Sequence, residues 1–394
     1  MNDDPVVIAA AARTPIGGFQ GELKDLAAPE LGAVAIRTAL SRSGLEPSQI
    51  DEVIMGCVLA AGLGQAPARQ ASLAAGLPLA AGCTTVNKMC GSGLKAAMLG
   101  HDALLAGSAR VVVAGGMESM SRAPYLLPKA RSGYRLGHQS VQDHMFLDGL
   151  EDAYDRGRLM GSFAEECAGQ FGFSRQTQDD FARASLERAL EATRQGAFGW
   201  EIAPVALGNK AGAASLTDDE QPARARPDRI GTLKPAFRPD GTVTAANSSS
   251  ISDGAAALVM TRASTARSLG LAPIARVLGH STHAQAPALF TTAPVGAIER
   301  LLARVGWQIA DVDLYEINEA FAVVTLAAMQ ALKISHDRVN VHGGACALGH
   351  PIGASGARIL VTLIGALRRR DARRGVAALC IGGGEATAMA IELC

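Results

Sequence analysis

Four landmarks of this chain recur in the same order further along, and that duplication restricts the possible folds more than composition does. The stretch "LSRSGLEPSQIDEVIMG" at Leu40–Gly56 is echoed by "LARVGWQIADVDLYEIN" at Leu302–Asn318. Within them Arg42-Ser43-Gly44 matches Arg304-Val305-Gly306, and Asp51 matches Asp313 at equal spacing. Ser92-Gly93 returns as Ser355-Gly356, and "VVVAGGMES" (Val111–Ser119) returns as "ALCIGGGEA" (Ala378–Ala386). Each copy reads as helix, strand, Gly-rich turn, long helix, strand. "PELGAVAIRTALSRSG" and "APVGAIERLLARVG" carry helical spacing and stop at glycine, whereas "VVVAGG" and "AALCIGGG" are short apolar strands. Alternation of this kind predicts layered α/β architecture in two similar halves.

The segment 119–250 has no counterpart in the second copy. It holds Pro124, Pro128, the helical run "QDDFARASLERALEATRQG" and the Arg/Pro-rich "QPARARPDRIGTLKPAFRPDG". It reads as an inserted loop domain. The expected organisation is therefore a first α/β half at 1–118 completed by 251–270, the insertion at 119–250, and a second half at 271–394.

With 37 basic and 37 acidic side chains, the chain's net charge of zero argues against a nucleic-acid or membrane-surface partner. "MNDDPVVIAA" lacks a signal-peptide pattern, and no apolar run approaches the roughly 18 residues that span a bilayer. The cysteine count is odd, at 7, with no CxxC pair, which suggests neither a disulfide framework nor a zinc site. A cytoplasmic location is expected.

Cys90 stands between the strand-like "TTV" and the helix-forming "LKAAML", at a helix start whose free N–H groups and dipole are expected to lower its pKa. Gly91 and Gly93 are expected to let a substrate approach the backbone. A buried structural cysteine is the competing reading. His350, in the Gly/Pro-rich loop "VNVHGGACALGHPIGASG", suits a general base, or alternatively a loop histidine bonded to carbonyls. Cys380, in "LCIGGGEATA", is either an acid/base thiol beside glycine N–H groups or core filling. Asn318, in "YEINEAFA", orients a water or carbonyl oxygen, or simply caps a helix. His280 and His283 lack a third ligand in sequence, so no metal is expected.

Taken together, these motifs resemble the thiolase family, the acyl-CoA acetyltransferases that make or cleave 3-ketoacyl-CoA. The resemblance runs from "ARTPIGGFQG" through "VNKMCGSGLKA", "GGMESMS", "KPAF", "GTVTAANSSSISDGAA", "NEAFA" and "GGACALGHPIGASGAR" to "CIGGGEATA". It implies a five-layered αβαβα fold of two α/β halves with an inserted loop domain. It further implies Cys90 as acylated nucleophile, His350 as its activator and Cys380 as the acid/base at the substrate's α-carbon. Asn318 would hold a water that forms one oxyanion hole with His350; the N–H groups of Cys90 and Gly382 would form the other. The implied coenzyme A contacts are Met160, Arg224, Ala236, Phe237, Ser249, Ala320 and Phe321, with Arg226 and Arg229 as rivals to Arg224. Leu159 departs from the His that short-chain members often carry before Met-Gly, and "GGGEATA" departs from the commoner GGGxG ending.

The expected activity is acetyl-CoA C-acetyltransfer, with acetyl-CoA, CoA and 3-ketoacyl-CoA as partners and no separate cofactor. A homo-oligomer, dimer or dimer of dimers, is implied as well. The alternatives are a longer-chain 3-ketoacyl-CoA thiolase, a 3-ketoacyl synthase, and a non-catalytic CoA-binding subunit.

Overall fold

Asp51 and Asp313, matched in the duplication, make the same pair of bonds in two places. One carboxylate oxygen of Asp51 accepts the N–H groups of Arg110 (2.8 Å) and Val111 (2.9 Å). One oxygen of Asp313 accepts those of Arg373 (2.9 Å) and Arg374 (2.7 Å). In each half the bond pins the start of a strand beside its parallel neighbour. These contacts come from a computed structural model that describes residues 4–208 and 214–394. The first three residues of the expected first half, and 209–213 of the expected insertion, lie outside it.

Leaving aside shorter pieces, the strands are β1 (Val6–Arg13), β2 (Glu52–Gly56), β3 (Gly82–Val86), β4 (Val111–Ser119), β5 (Ser252–Arg262), β6 (Ala275–Ala284), β7 (Leu314–Ile317), β8 (Arg374–Ile381) and β9 (Glu385–Leu393). The helices are α1 (Ala28–Ser43), α2 (Pro67–Ala74), α3 (Ser92–Ala106), α4 (Met160–Phe171), α5 (Arg175–Arg194), α6 (Ala293–Val305), α7 (Ala322–Leu332) and α8 (Ser355–Arg369). The strands join in the order β7-β8-β9-β6-β1-β5-β4-β2-β3. The halves meet at β1 and β6, where only Val7↔Arg276 and Ile8↔Ala275 pair. In each half the pairs nearest this junction are antiparallel, whereas β4-β2-β3 and β7-β8 are parallel.

The layers follow from the period of two along the strands. In β4, Val111, Val113 and Met117 enter a core under α1 and α2, while Val112 and Ala114 face α3. In β8, Ala377 and Leu379 share that second core with α3 and α8, whereas Val376 and Ala378 face α6 and α7. Both helix pairs and the central α3/α8 layer thus sandwich the two parts of the sheet, giving αβαβα. Helices α1 and α6 both end on a left-handed glycine, Gly44 (φ 74°) and Gly306 (φ 71°).

At the centre α3 and α8 approach backbone to backbone. A Cβ added to Gly93 would lie 2.7 Å from the Ala357 nitrogen, and one on Gly356 only 2.3 Å from the Leu94 nitrogen. Between β4 and β5 the chain leaves the sheet and forms α4, α5 and several loops. It is tied back by the fully buried Arg13, whose guanidinium reaches Glu201 (2.5 Å) and Asp219 (2.7 Å). Removing either carboxylate would leave the buried guanidinium one hydrogen-bond partner short, a loss of roughly 1–3 kcal/mol.

Candidate active site

Cys90 ends a tight turn just before α3. Met89, immediately ahead of it, has a left-handed backbone (φ 47°), unusual for a side-chain-bearing residue. The turn is held locally: Asn87 Oδ1 accepts the Met89 N–H at 2.9 Å, and Ser92 Oγ accepts the Lys88 N–H at 2.8 Å. Gly91 and Gly93 make room for protein rather than substrate, because Ile381 and Ala357 occupy the space their side chains would need. That corrects the sequence reading of both glycines.

The thiol's acidity also differs from expectation. The N–H groups of Gly382 and of Cys90 itself favour the thiolate, but burial outweighs them, with a smaller contribution from the Glu118 carboxylate, and the pKa is pushed up to about 11. The helix start therefore does not produce a resting thiolate. Proton removal has to be part of the reaction.

His350 provides for that. Its Nδ1 lies 2.5 Å from Ser355 Oγ, and Ser355 Oγ is 3.0 Å from the Pro351 carbonyl oxygen. The hydroxyl proton satisfies that carbonyl, so Oγ accepts from Nδ1–H and the lone pair lies on Nε2. Nε2 is buried and has no hydrogen-bond partner among the described residues. Burial, and then the Arg358 guanidinium, hold the imidazolium form down to a pKa of about 3, so the ring is neutral. Ser355 is a residue that sequence reasoning recorded only as half of a repeated Ser-Gly pair.

Cys380 sits at the end of β8, almost wholly buried. Gly383 (φ 90°) and Gly384 (φ 85°) turn the chain tightly into β9, a conformation that requires glycine there. Burial raises the Cys380 pKa well above the usual thiol value, and proximity to the Cys90 sulfur raises it further. Asn318 is fully buried, and both its amide atoms lack partners, so it does not cap α7. Its neighbour Glu319 is occupied in holding the His350 segment, accepting from Ser185 Oγ (2.7 Å), Asn340 Nδ2 (2.8 Å) and the Cys346 N–H (3.0 Å).

Glu118, at the end of β4, was not singled out from sequence. Its buried carboxylate accepts the N–H groups of Val58 (3.0 Å), Leu59 (3.1 Å) and, from the second half, Gly353 (2.8 Å). Burial raises its pKa to about 7 despite these donors. It thereby binds the loop after β2 to the segment carrying His350.

A cavity of about 380 Å³ collects Cys90, His350, Cys380 and Gly382 in one wall. Met160, Ala236, Phe237, Ser249, Ala320 and Phe321 line it too. Apolar Met89, Leu150, Leu159, Phe290 and Ile352 complete much of the lining. Asn318 and Arg224 are not among the lining residues. Arg224 instead pairs with Glu220 (2.8 Å) and Glu22 (3.4 Å). Arg226 and Arg229 line an adjoining cavity of about 460 Å³, which shares Ala245 and Ser250 with the first. Chemically, the first cavity offers a thiol nucleophile, a neutral base, a second thiol and converging N–H donors.

Residues 6–264 match the thiolase N-terminal domain, and residues 271–393 match the thiolase C-terminal domain. Acetyl-CoA acetyltransferase 2 of Arabidopsis thaliana is 50% identical, covering 100% of this chain and 98% of that protein. Acetyl-CoA acetyltransferase of Cupriavidus necator is also 50% identical, over 98% and 99% of the two chains. Among solved structures, a thiolase from Ascaris suum in complex with coenzyme A superposes with a TM-score of 0.94 at 43% identity, covering 99% of this chain and 100% of that one. The Bacillus anthracis acetyl-CoA acetyltransferase gives 0.96 at 40% identity, over 99% of each chain. Duplicated α/β halves, a two-thiol cavity and matches across both domains converge on one assignment: the chain belongs to the thiolase family.

Proposed function

We propose that the chain is an acetyl-CoA C-acetyltransferase, joining two acetyl-CoA into acetoacetyl-CoA and CoA, or running that reaction backwards. The observation that carries this reading is the convergence of Cys90, His350, Cys380 and Gly382 on one cavity. A 3-ketoacyl synthase has no use for the second thiol.

His350 Nε2 takes the Cys90 proton as the sulfur attacks the thioester carbonyl, then returns it to the departing CoA sulfur. The N–H groups of Cys90 and Gly382 are directed at the Cys90 sulfur, within reach of an oxyanion formed on its acyl group. Acylation also changes Cys380. Once Cys90 is a thioester it can no longer form a thiolate beside Cys380. Cys380 gives its own proton to His350, free again after CoA departs, and its thiolate then removes a methyl proton from the second acetyl-CoA. The resulting carbanion attacks the acetyl-Cys90 carbonyl. Cys90 leaves as thiolate and takes the proton that His350 holds, while Cys380 keeps the methyl proton, so both thiols and the imidazole return to their resting state. The unpartnered Asn318 amide is suited to a bound water that, with His350, meets the charge on the second thioester oxygen.

The coenzyme's pantetheine is read as lying along Met160, Ala236, Phe237, Ser249, Ala320 and Phe321. Its phosphates fall to Arg226 and Arg229, which line the adjoining cavity, rather than to Arg224, which lines neither cavity. A homo-oligomer, dimer or dimer of dimers, is part of the same reading. Strand β3 pairs on one side only and is exposed or half-buried along its length, an edge that needs cover. Seven free thiols support a reducing, cytoplasmic setting. Among the described residues no helix is long and apolar enough to cross a membrane.

The decisive experiment separates the two thiols. Peptide mapping after incubation with acetyl-CoA should place the acetyl group on Cys90. Cys380→Ser should still acylate Cys90, yet lose condensation by roughly 10²–10⁴-fold and fail to exchange the acetyl methyl protons with deuterium. Equal loss of acylation and condensation would overturn the division of labour.

A further inference from the structure

Far down α3 from Cys90, a second group of chemistry-bearing side chains comes together. His101 and Asp102 lie in the C-terminal half of α3, and His280 comes from β6 of the other half. None of them lines the catalytic cavity. Asp102 Oδ1 is 3.2 Å from His101 Nδ1 and 2.8 Å from His280 Nε2. All three potential ligand atoms lie within 4.8 Å of one another. The two imidazoles meet edge to face, at 88° and 5.0 Å between centres, so that one nitrogen of each converges on the same carboxylate oxygen. The sequence reading linked His280 with His283; the structure instead bonds His283 to Gln285 (3.0 Å). The missing ligands were 178 residues away.

We propose that His101, Asp102 and His280 form a binding site for a divalent cation of the zinc class, linking α3 of the first half to β6 of the second. Two imidazole nitrogens and one carboxylate oxygen suit borderline cations such as Zn²⁺ or Co²⁺ better than Mg²⁺ or Ca²⁺, which favour all-oxygen sites. Tetrahedral ligands about 2.0–2.1 Å from zinc stand roughly 3.3 Å from one another, so the two spacings to Asp102 Oδ1 need shifts of about half an ångström at most, and the two ring nitrogens, within 4.8 Å of each other, can draw together by rotation of their side chains. Asp102 is exposed, which gives an ion an entry path and leaves its fourth position to water. The surrounding charge is compatible. Arg262 is paired with Asp4 (3.2 Å), and Arg304 donates to the His280 carbonyl oxygen (2.7 Å). The ion's role would be to fasten the two halves; it takes no part in the chemistry at Cys90.

The probe is Co²⁺, titrated into the full-length protein, because its spectrum distinguishes ligand types. One equivalent should bind with visible d–d bands and without near-ultraviolet thiolate charge transfer, and Zn²⁺ should displace it and raise Tm. Asp102→Asn and His280→Gln should each weaken Co²⁺ binding by more than about 100-fold, beyond what loss of an outer-shell partner costs. Both should abolish the Zn²⁺-dependent rise in Tm while leaving kcat/KM for acetoacetyl-CoA unchanged, which also reports correct folding. A thiolate charge-transfer band, unaltered binding in either variant, or no binding at micromolar Co²⁺ would overturn the proposal.

Discussion

Glu118 and Gly353, 235 residues apart, share a hydrogen bond of 2.8 Å that runs from one half of the duplication to the other. The same carboxylate also holds Val58 and Leu59, which pack with Met89, Cys90 and Ile352. One buried acid thus fixes the surroundings of both the nucleophile and the base.

Replacing it with its neutral isostere tests that link. Glu118→Gln presents an amide N–H to a backbone N–H, so kcat should fall about tenfold with KM little changed, and stability should fall by roughly 1–3 kcal/mol. The sign of the pH effect follows from the raised pKa, about 7 against 4.5 when unfolded. The contribution of Glu118 is fully present below about pH 4.5 and declines as pH rises to about 7. The stability gap between wild type and variant should therefore narrow by an amount on the order of 2 kcal/mol between pH 5 and pH 8. Urea unfolding at both pH values measures it, and a constant gap would contradict the assignment.

Cys90 should alkylate as a half-buried thiol of raised pKa. With its pKa pushed up to about 11 and His350 held near 3, the resting pair is neutral. The iodoacetamide rate at Cys90 should rise about tenfold per pH unit from 7 to 9, following the thiolate fraction. A plateau below pH 8 would reveal a thiolate–imidazolium pair instead.

Ser355→Ala removes the acceptor that keeps the His350 proton on Nδ1. The imidazole can then present N–H rather than a lone pair to Cys90. Acylation should slow by roughly 10–100-fold, within the range that acid–base catalysis contributes. Cysteine alkylation, which does not need the base, should be nearly unaffected. Stopped-flow release of CoA from acetyl-CoA reads the first; equal losses in both would mean the turn itself had shifted.

Asn318→Ala should separate function from stability. Among the described residues the amide has no hydrogen-bond partner, so its removal should cost little stability or even add some. Loss of one oxyanion donor should nevertheless lower kcat by about 10²–10³-fold. Calorimetry paired with steady-state kinetics checks both halves of that statement.

What the sequence made legible was local. Asp51 and Asp313 could be matched because each stands a fixed distance after an Arg-x-Gly helix end. Cys90, His350 and Cys380 could be picked out because each has glycine neighbours that ordinary core residues lack. Interactions spanning long separations were not visible in this way. Glu118 reads as one more strand residue until Gly353 arrives beside it, and Asp102 as a helix-surface acid until His280 does. The rise in the Cys90 pKa depends on how much apolar matter surrounds the sulfur, a quantity no local motif encodes. Local sequence does not separate Arg224 from Arg226 and Arg229, and the pairing of Arg224 with Glu220, four residues before it, is visible only in the fold.

The close crossing of α3 and α8 has a mechanical consequence. Cys90 stands just ahead of one of these helices and His350 just ahead of the other. Gly93 and Gly356 bring the two axes as near as polypeptide backbones can come. The separation of nucleophile and base is thus set like a lattice constant, by hard-core contact along a shared seam, and not by the tension of a loop. A single methyl group at either glycine would dilate that seam and retune the catalytic gap without touching any group that takes part in the reaction.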